Sequence, residues 1–190
     1  MIMDRREALS TVTFLLGGTI IGAEAFLSGC SNQNTSQENL FSEDVLSLLN
    51  AIGETILPAT PSSPGAEEAN VAVFMKSIVM DCYSVTEQTI FFEGLKKIKQ
   101  NGKQYGNDFL KLTRESKYAC LMALEKEAAG YQETKKPDDP EIHYYTMVKQ
   151  LTVWGFLSSE AGATKAMRHV AVPGRYEGCI PLKQGEKAWA

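Results

Sequence analysis

Two histidines and four cysteines are the side chains here best suited to chemistry, and their spacing argues against most of it. His143 has Asp138, Asp139 and Glu141 close by in sequence, the composition of a general base with carboxylate partners. A base also needs a partner at catalytic geometry, which this spacing does not supply, so a solvated surface histidine is expected. His169 follows Arg168 near a helix end, where a cation is favoured by the dipole. Asp81 beside Cys82 reads as a cap or solvent-facing carboxylate as readily as a ligand. No phosphate-cradling glycine loop, Gly-x-Ser-x-Gly elbow, His-Glu-x-x-His helix or Cys-x-x-Cys-His haem site is present. The residues therefore predict no catalytic, cofactor-binding or metal site in this chain.

The N-terminal segment sets the compartment in which the cysteines must be read. Arg5 and Arg6 precede an uncharged run from Ala8 to Ala23, which leads into Leu27-Ser28-Gly29-Cys30. An arginine pair before a modest apolar run predicts a twin-arginine export signal over residues 1–29. The four residues ending at Cys30 resemble a bacterial lipobox, so Cys30 is the expected lipidation site. A transmembrane anchor is the alternative. The run is 16 residues, below the ~20 needed to span a bilayer, and holds three glycines and four serines or threonines. The mature chain would be anchored to a membrane on the periplasmic side, inner or outer. Residues 30–41 read as a lipidated tether, since Ser31 to Asn39 contains no apolar side chain.

With Cys30 set aside, Cys82, Cys120 and Cys179 are an odd number for an oxidising compartment. An internal disulfide would leave one thiol free; the alternative is a bond to another chain. No two lie close in sequence, which argues against zinc. Cys82 and Cys120 are expected as small buried hydrophobes. Cys179, in a loop-like tail, is the candidate for an intersubunit disulfide.

The elements that must position these residues are helical. Ser42 is placed to cap a helix with Val45, Leu48, Leu49, Ile52 and Ile56 on one face. Pro58, Pro61 and Pro64 then form an extended loop. A second helix is predicted over Ala66–Cys82, with Val71, Phe74, Ile78 and Val79 inward. Ser84-Val85-Thr86-Glu87 has capping-box spacing for a third, carrying Phe91, Leu95 and Ile98 and stopping at Gly102. Thr113 caps a fourth, bearing Tyr118, Leu121, Met122 and Leu124 and ending near Gly130. Asp139-Pro140-Glu141 signals the start of a fifth. That helix, rich in Tyr145, Val148, Leu151, Trp154 and Phe156, is the expected central core element to about Ser158. The prediction is an all-α single domain, 42–190, of about five to six helices with an irregular Pro/Gly-rich tail. The net charge of −4 offers no basic field for nucleic acid.

Three segments carry a resemblance. Glu54-Thr55-Ile56-Leu57-Pro58-Ala59-Thr60-Pro61 is followed by Pro64-Gly65-Ala66, Val71 and Phe74. Leu157-Ser158-Ser159-Glu160-Ala161-Gly162 comes after the aromatic helix. The third is Val172-Pro173-Gly174-Arg175-Tyr176-Glu177-Gly178-Cys179-Ile180-Pro181-Leu182. In order and spacing, from about 42 to 190, they resemble the gluconate 2-dehydrogenase subunit 3 family. The resemblance implies a non-catalytic small subunit partnering a large FAD-dependent dehydrogenase of the glucose-methanol-choline type. It implies a c-type cytochrome, with haem c, as electron acceptor, and a role in maturing and exporting the flavoprotein. The tail residues Pro173, Gly174, Arg175, Tyr176, Cys179 and Pro181 then become candidates for the partner interface, with arginine and tyrosine of the types enriched there. The Pro58–Ala66 loop is a second, weaker contact candidate. The rival expectation is a stand-alone envelope lipoprotein acting as a binding or scaffold module.

Overall fold

The computed structural model describes residues 39–140, 142–172, 174–175, 178–179, 181 and 183–189. The export signal, Arg5, Arg6, Cys30 and the tether up to residue 38 lie outside them. The chain divides into units 1–42 and 43–190. Of the first, Asn39–Phe41 form a single 3₁₀ turn.

The second unit is all-α, as the apolar periodicity predicts. Its helices are α1 (Glu43–Ile56), α2 (Val71–Cys82), α3 (Val85–Asn101), α4 (Arg114–Thr134) and α5 (Tyr144–Ser158). Short 3₁₀ turns at Gly102–Tyr105 and Phe109–Lys111 join α3 to α4, and a π turn, Gly162–Ala166, follows α5. Helix α5 is the core, packing against all four other helices. It buries Tyr144, Tyr145, Met147, Val148, Leu151, Thr152, Gly155 and Phe156. Thr152 is tolerated there because its hydroxyl donates to the Val148 carbonyl at 2.8 Å. The α1 face buries Leu48, Leu49 and Ile52, α2 adds Val71, Met75 and Val79, and α3 adds Phe91, Leu95 and Ile98.

Local chemistry explains where the boundaries match and where they move. The α3 capping box forms as the spacing predicts: the Glu87 amide donates to Ser84 Oγ, and Glu87 Oε2 accepts from the Ser84 amide at 2.8 Å. Thr113 caps α4 through the Ser116 amide. Helix α2, however, begins at Val71 rather than Ala66. Residues 66–70 form turns ending at Asn70, whose φ of 52° is left-handed and interrupts helix propagation. Gly102 does not stop α3 either; it stays right-handed and leads into the 3₁₀ turn, and Gly106, at φ 113°, makes the reversal. Helix α4 continues past Gly130 to Thr134, a tolerated but unfavourable glycine.

The two tyrosines at the head of α5 give the fold a titratable seam. Burial, with Glu127 and Cys120 adding to it, pushes Tyr144 up to about 12. Burial, with Glu125 and Cys120, does the same to Tyr145. Unfolded, both titrate near 10.0. The folded state prefers the protonated phenol, so this stabilisation is complete below pH ~10 and lost as pH rises toward ~12. The unfolding free energy should fall across that window, by about 2 kcal/mol per tyrosine, with the thermal midpoint falling alongside it, and Tyr145→Phe should flatten the fall. An unchanged alkaline profile in Tyr145→Phe would remove Tyr145 from this account.

Candidate functional site

His143 is not the surface histidine that the sequence suggests. It is buried, at 6% exposure, because it is itself the N-cap of α5 in place of Asp139. The Tyr145 amide donates to His143 Nδ1 at 3.3 Å, so the ring proton resides on Nε2, which donates to Glu127 Oε1 at 3.3 Å. The ring also stacks on Tyr144, at a centroid separation of 4.2 Å, and meets Tyr131 at 5.1 Å. With both nitrogens engaged, neither is left to take a proton from a substrate. Its work is to start the central helix. Of its expected neighbours, Glu141 lies outside the described residues.

Among the described residues, no group of acids, histidines and cysteines could hold a metal ion, and no helix is long and apolar enough to cross a membrane. Cys120 is buried as predicted, and burial raises its thiol pKa. Cys82 departs from the prediction: it sits exposed at the C-terminus of α2. Helix α2 buries positions 71, 72, 75 and 79, and Cys82, its last residue, lies beyond the buried stretch. Cys179 is exposed.

The motif that opens the domain owes its residues to packing. Glu54 reaches across the Pro58–Ala66 loop and accepts the Ala59 amide at 2.7 Å and the Glu67 amide at 3.1 Å. Its carboxylate fills the space where a Cβ on Gly65 would stand, with Oε2 only 2.2 Å away. The Thr60 and Ser63 backbones pair across the loop, the Thr60 amide donating at 2.8 Å. The expected extended loop is thus a folded turn tied to α1. In the second motif, a Cβ on Gly162 would stand 1.9 Å from the Phe156 carbonyl oxygen, so only glycine fits the π turn. In the third, Gly174 is left-handed at φ 75°. Gly65, Gly162 and Gly174 thus each have a conformational or steric reason.

The described residues of the tail between 172 and 181 are exposed, and the segment is tied at its base. Arg168 donates from its amide to the Ala188 carbonyl at 2.8 Å and from its guanidinium to Glu186 at 2.6 Å, and it lies 3.7 Å over the Trp189 ring. Lys187 Nζ donates to the Lys165 carbonyl. Between these ends Val172, Gly174, Arg175, Cys179 and Pro181 are exposed. Pro173 and Tyr176 lie outside the described residues. The described tail residues are thus each at the surface, and the described partners of His143 are Glu127, Tyr131, Tyr144 and Tyr145, none of them in the tail.

Two surfaces escaped the sequence reading. The first is a ridge on α5, where Val153, Trp154 and Leu157 are 37%, 54% and 42% exposed on the helix that otherwise forms the core. Trp154 meets Phe74 of α2 edge-on at 5.2 Å. The i, i+4 spacing of Val153 and Leu157 carries that ridge in the sequence, but so rich a helix reads as buried all round. The second is a groove of about 620 Å³ between α1 and the start of α4, with Arg114 and Lys117 in its wall.

Together these features describe a small helical domain whose polar clusters hold its own backbone and whose remaining apolar and charged surfaces face outward. Residues 43–174 match the gluconate 2-dehydrogenase subunit 3 family, and the chain belongs to that family. The match takes in the first two motifs and ends at Gly174, so Arg175 and the residues beyond it lie outside it. No curated protein and no solved structure matches the chain. Membership suggests an accessory subunit of a dehydrogenase complex.

Proposed function

We propose that the chain is the non-catalytic small subunit of a periplasmic, FAD-dependent sugar, sugar-acid or glycoside dehydrogenase complex. The observation that carries this is the α5 ridge: the helix that forms the core also exposes Val153, Trp154 and Leu157. An apolar ridge containing a tryptophan is the kind of surface that a subunit interface covers. Its occurrence in a member of a subunit family supports another subunit of the dehydrogenase complex as the covering partner.

In this reading the large subunit, of the glucose-methanol-choline type, holds FAD and the substrate pocket, and a c-type cytochrome accepts the electrons. The tail residues Pro173, Gly174, Arg175, Tyr176, Cys179 and Pro181 add to the contact, and Cys179 forms an intersubunit disulfide. Arg5 and Arg6 direct export of the flavoprotein bound to this chain, and acylation of Cys30 anchors the pair.

Purification of the tagged chain from native membranes should yield a yellow preparation with flavin absorbance. A colourless monomer would overturn the reading in favour of a stand-alone lipoprotein. Replacing Arg5 and Arg6 with lysine should strip the periplasm of the dehydrogenase activity; undiminished activity there removes the export role.

A further inference from the structure

The chain as a whole is acidic, at −4, yet residues 96–117 hold seven cationic side chains against only Asp108 and Glu115. This stretch runs from the C-terminal turns of α3 through both 3₁₀ turns into the start of α4. Asp108 is already taken by Lys99, at 3.7 Å. Arg114 and Lys117 form no ion pair among the described residues, and both line the groove against α1.

The α1 wall supplies Ser47, Asn50, Glu54 and Thr55, and Glu67 lines the groove from the loop side. Thr55 donates to the Ala51 carbonyl, which leaves Ser47 and Asn50 as the hydrogen-bonding groups of that wall. The Glu54 carboxylate is occupied by two loop amides. Arg114 and Lys117, which form no ion pair among the described residues, therefore share an open groove with Ser47, Asn50 and two carboxylates, of which Glu54 is held by the loop amides.

We propose that this groove docks an acidic, extended segment of a partner polypeptide. Arg114 and Lys117 pair with its carboxylates, the guanidinium offering two parallel donors and the ammonium a point charge. Ser47 and Asn50 bond its backbone. Concavity favours a polypeptide over a bilayer, whose flat headgroup plane cannot follow a groove. The accessory-subunit reading enters only in naming the large subunit as the source of the segment.

Two arms test this on the full chain. In the first, a fluorescein-labelled Glu-Ser repeat peptide is titrated by anisotropy at low salt and at about 0.3 M NaCl, where exposed pairs are strongly screened. Wild type should bind the acidic peptide in a salt-dependent way and ignore a Gln-Ser repeat. Arg114→Ser with Lys117→Ser should weaken binding roughly tenfold, while Lys135→Ser with Lys136→Ser, outside the groove, changes it less than about twofold. Equal binding by wild type and the groove variant overturns the proposal, as does absence of peptide binding to wild type. Groove-dependent binding to phosphatidylglycerol vesicles, with the peptide unaffected, also overturns it, in favour of a membrane contact. In the second arm, the tagged groove variant should lose the yellow partner that wild type retains at low salt. If wild type retains no flavoprotein, the accessory-subunit reading fails, and the peptide arm still decides the groove.

Discussion

Gly94→Ala is expected to lower the stability of the domain by about 3 kcal/mol. Helices α3 and α5 cross at this glycine. A Cβ there would stand 2.4 Å from Tyr144 Cβ and 2.6 Å from its Cγ. Carbon atoms pack at about 3.5–4.0 Å, so the backbones must separate by roughly 1 Å. Rotating Tyr144 offers no escape, because the nearest atom is its own Cβ. Its ring is also held between His143 and the Lys97 ammonium, which lies 5.4 Å from the ring centroid. At roughly 2–4 °C per kcal/mol for a chain of this size, the midpoint should drop by about 10 °C. Gly130→Ala is the matched control. Nothing lies within 4 Å of its Cβ position, in the last turns of α4, so it should stabilise by about 0.5–1 kcal/mol. A Gly94→Ala midpoint at or above wild type would show that this crossing is not tight.

Trp154→Ala should separate two quantities that core substitutions move together. Trp154 is 54% exposed and its described ring contact is with Phe74, so the isolated chain should lose only about 1 kcal/mol of stability. Association with the flavoprotein should weaken roughly thirtyfold, the ~2 kcal/mol of an interface tryptophan. Adding Leu157→Ala should deepen the loss, and binding in both variants should keep the salt dependence of wild type because no charge is removed. Titration of purified flavoprotein against immobilised chain reads the affinity, and calorimetry the stability. Unchanged affinity would take the ridge out of the interface. Lost affinity with a collapsed midpoint would instead mean that Trp154 holds α5 in place.

How far the sequence reaches can be judged from α5. Its apolar density announces a core helix, and Tyr145, Val148, Leu151 and Phe156 are indeed buried. Its start is hidden, because Asp139-Pro140 has the stronger local signal while the cap is chosen by tertiary contacts: Glu127 and Tyr131 of α4 hold the His143 ring. Asn70 shows the same limit from another side. Helical periodicity runs from Ala66 to Cys82, but the tie of the loop to Glu54 fixes residues 66–70 in turns. The family motifs were legible as strings; their physical content was not. That Glu54 occupies the space beside Gly65, and the Phe156 carbonyl the space beside Gly162, requires coordinates. The groove is legible only as a run of lysines and arginines, because the α1 wall lies some 60 residues away in sequence.

The clasp at Arg168 changes what kind of object the C-terminal stretch is. A free tail must surrender its chain entropy at the moment it meets a partner. Here Glu186, Ala188 and Trp189 return to Arg168, so the stretch bearing Arg175 and Cys179 is joined at both ends. Loop closure then restricts its conformations during folding, before any encounter. Contacts made at its tip convert a larger share of their energy into affinity.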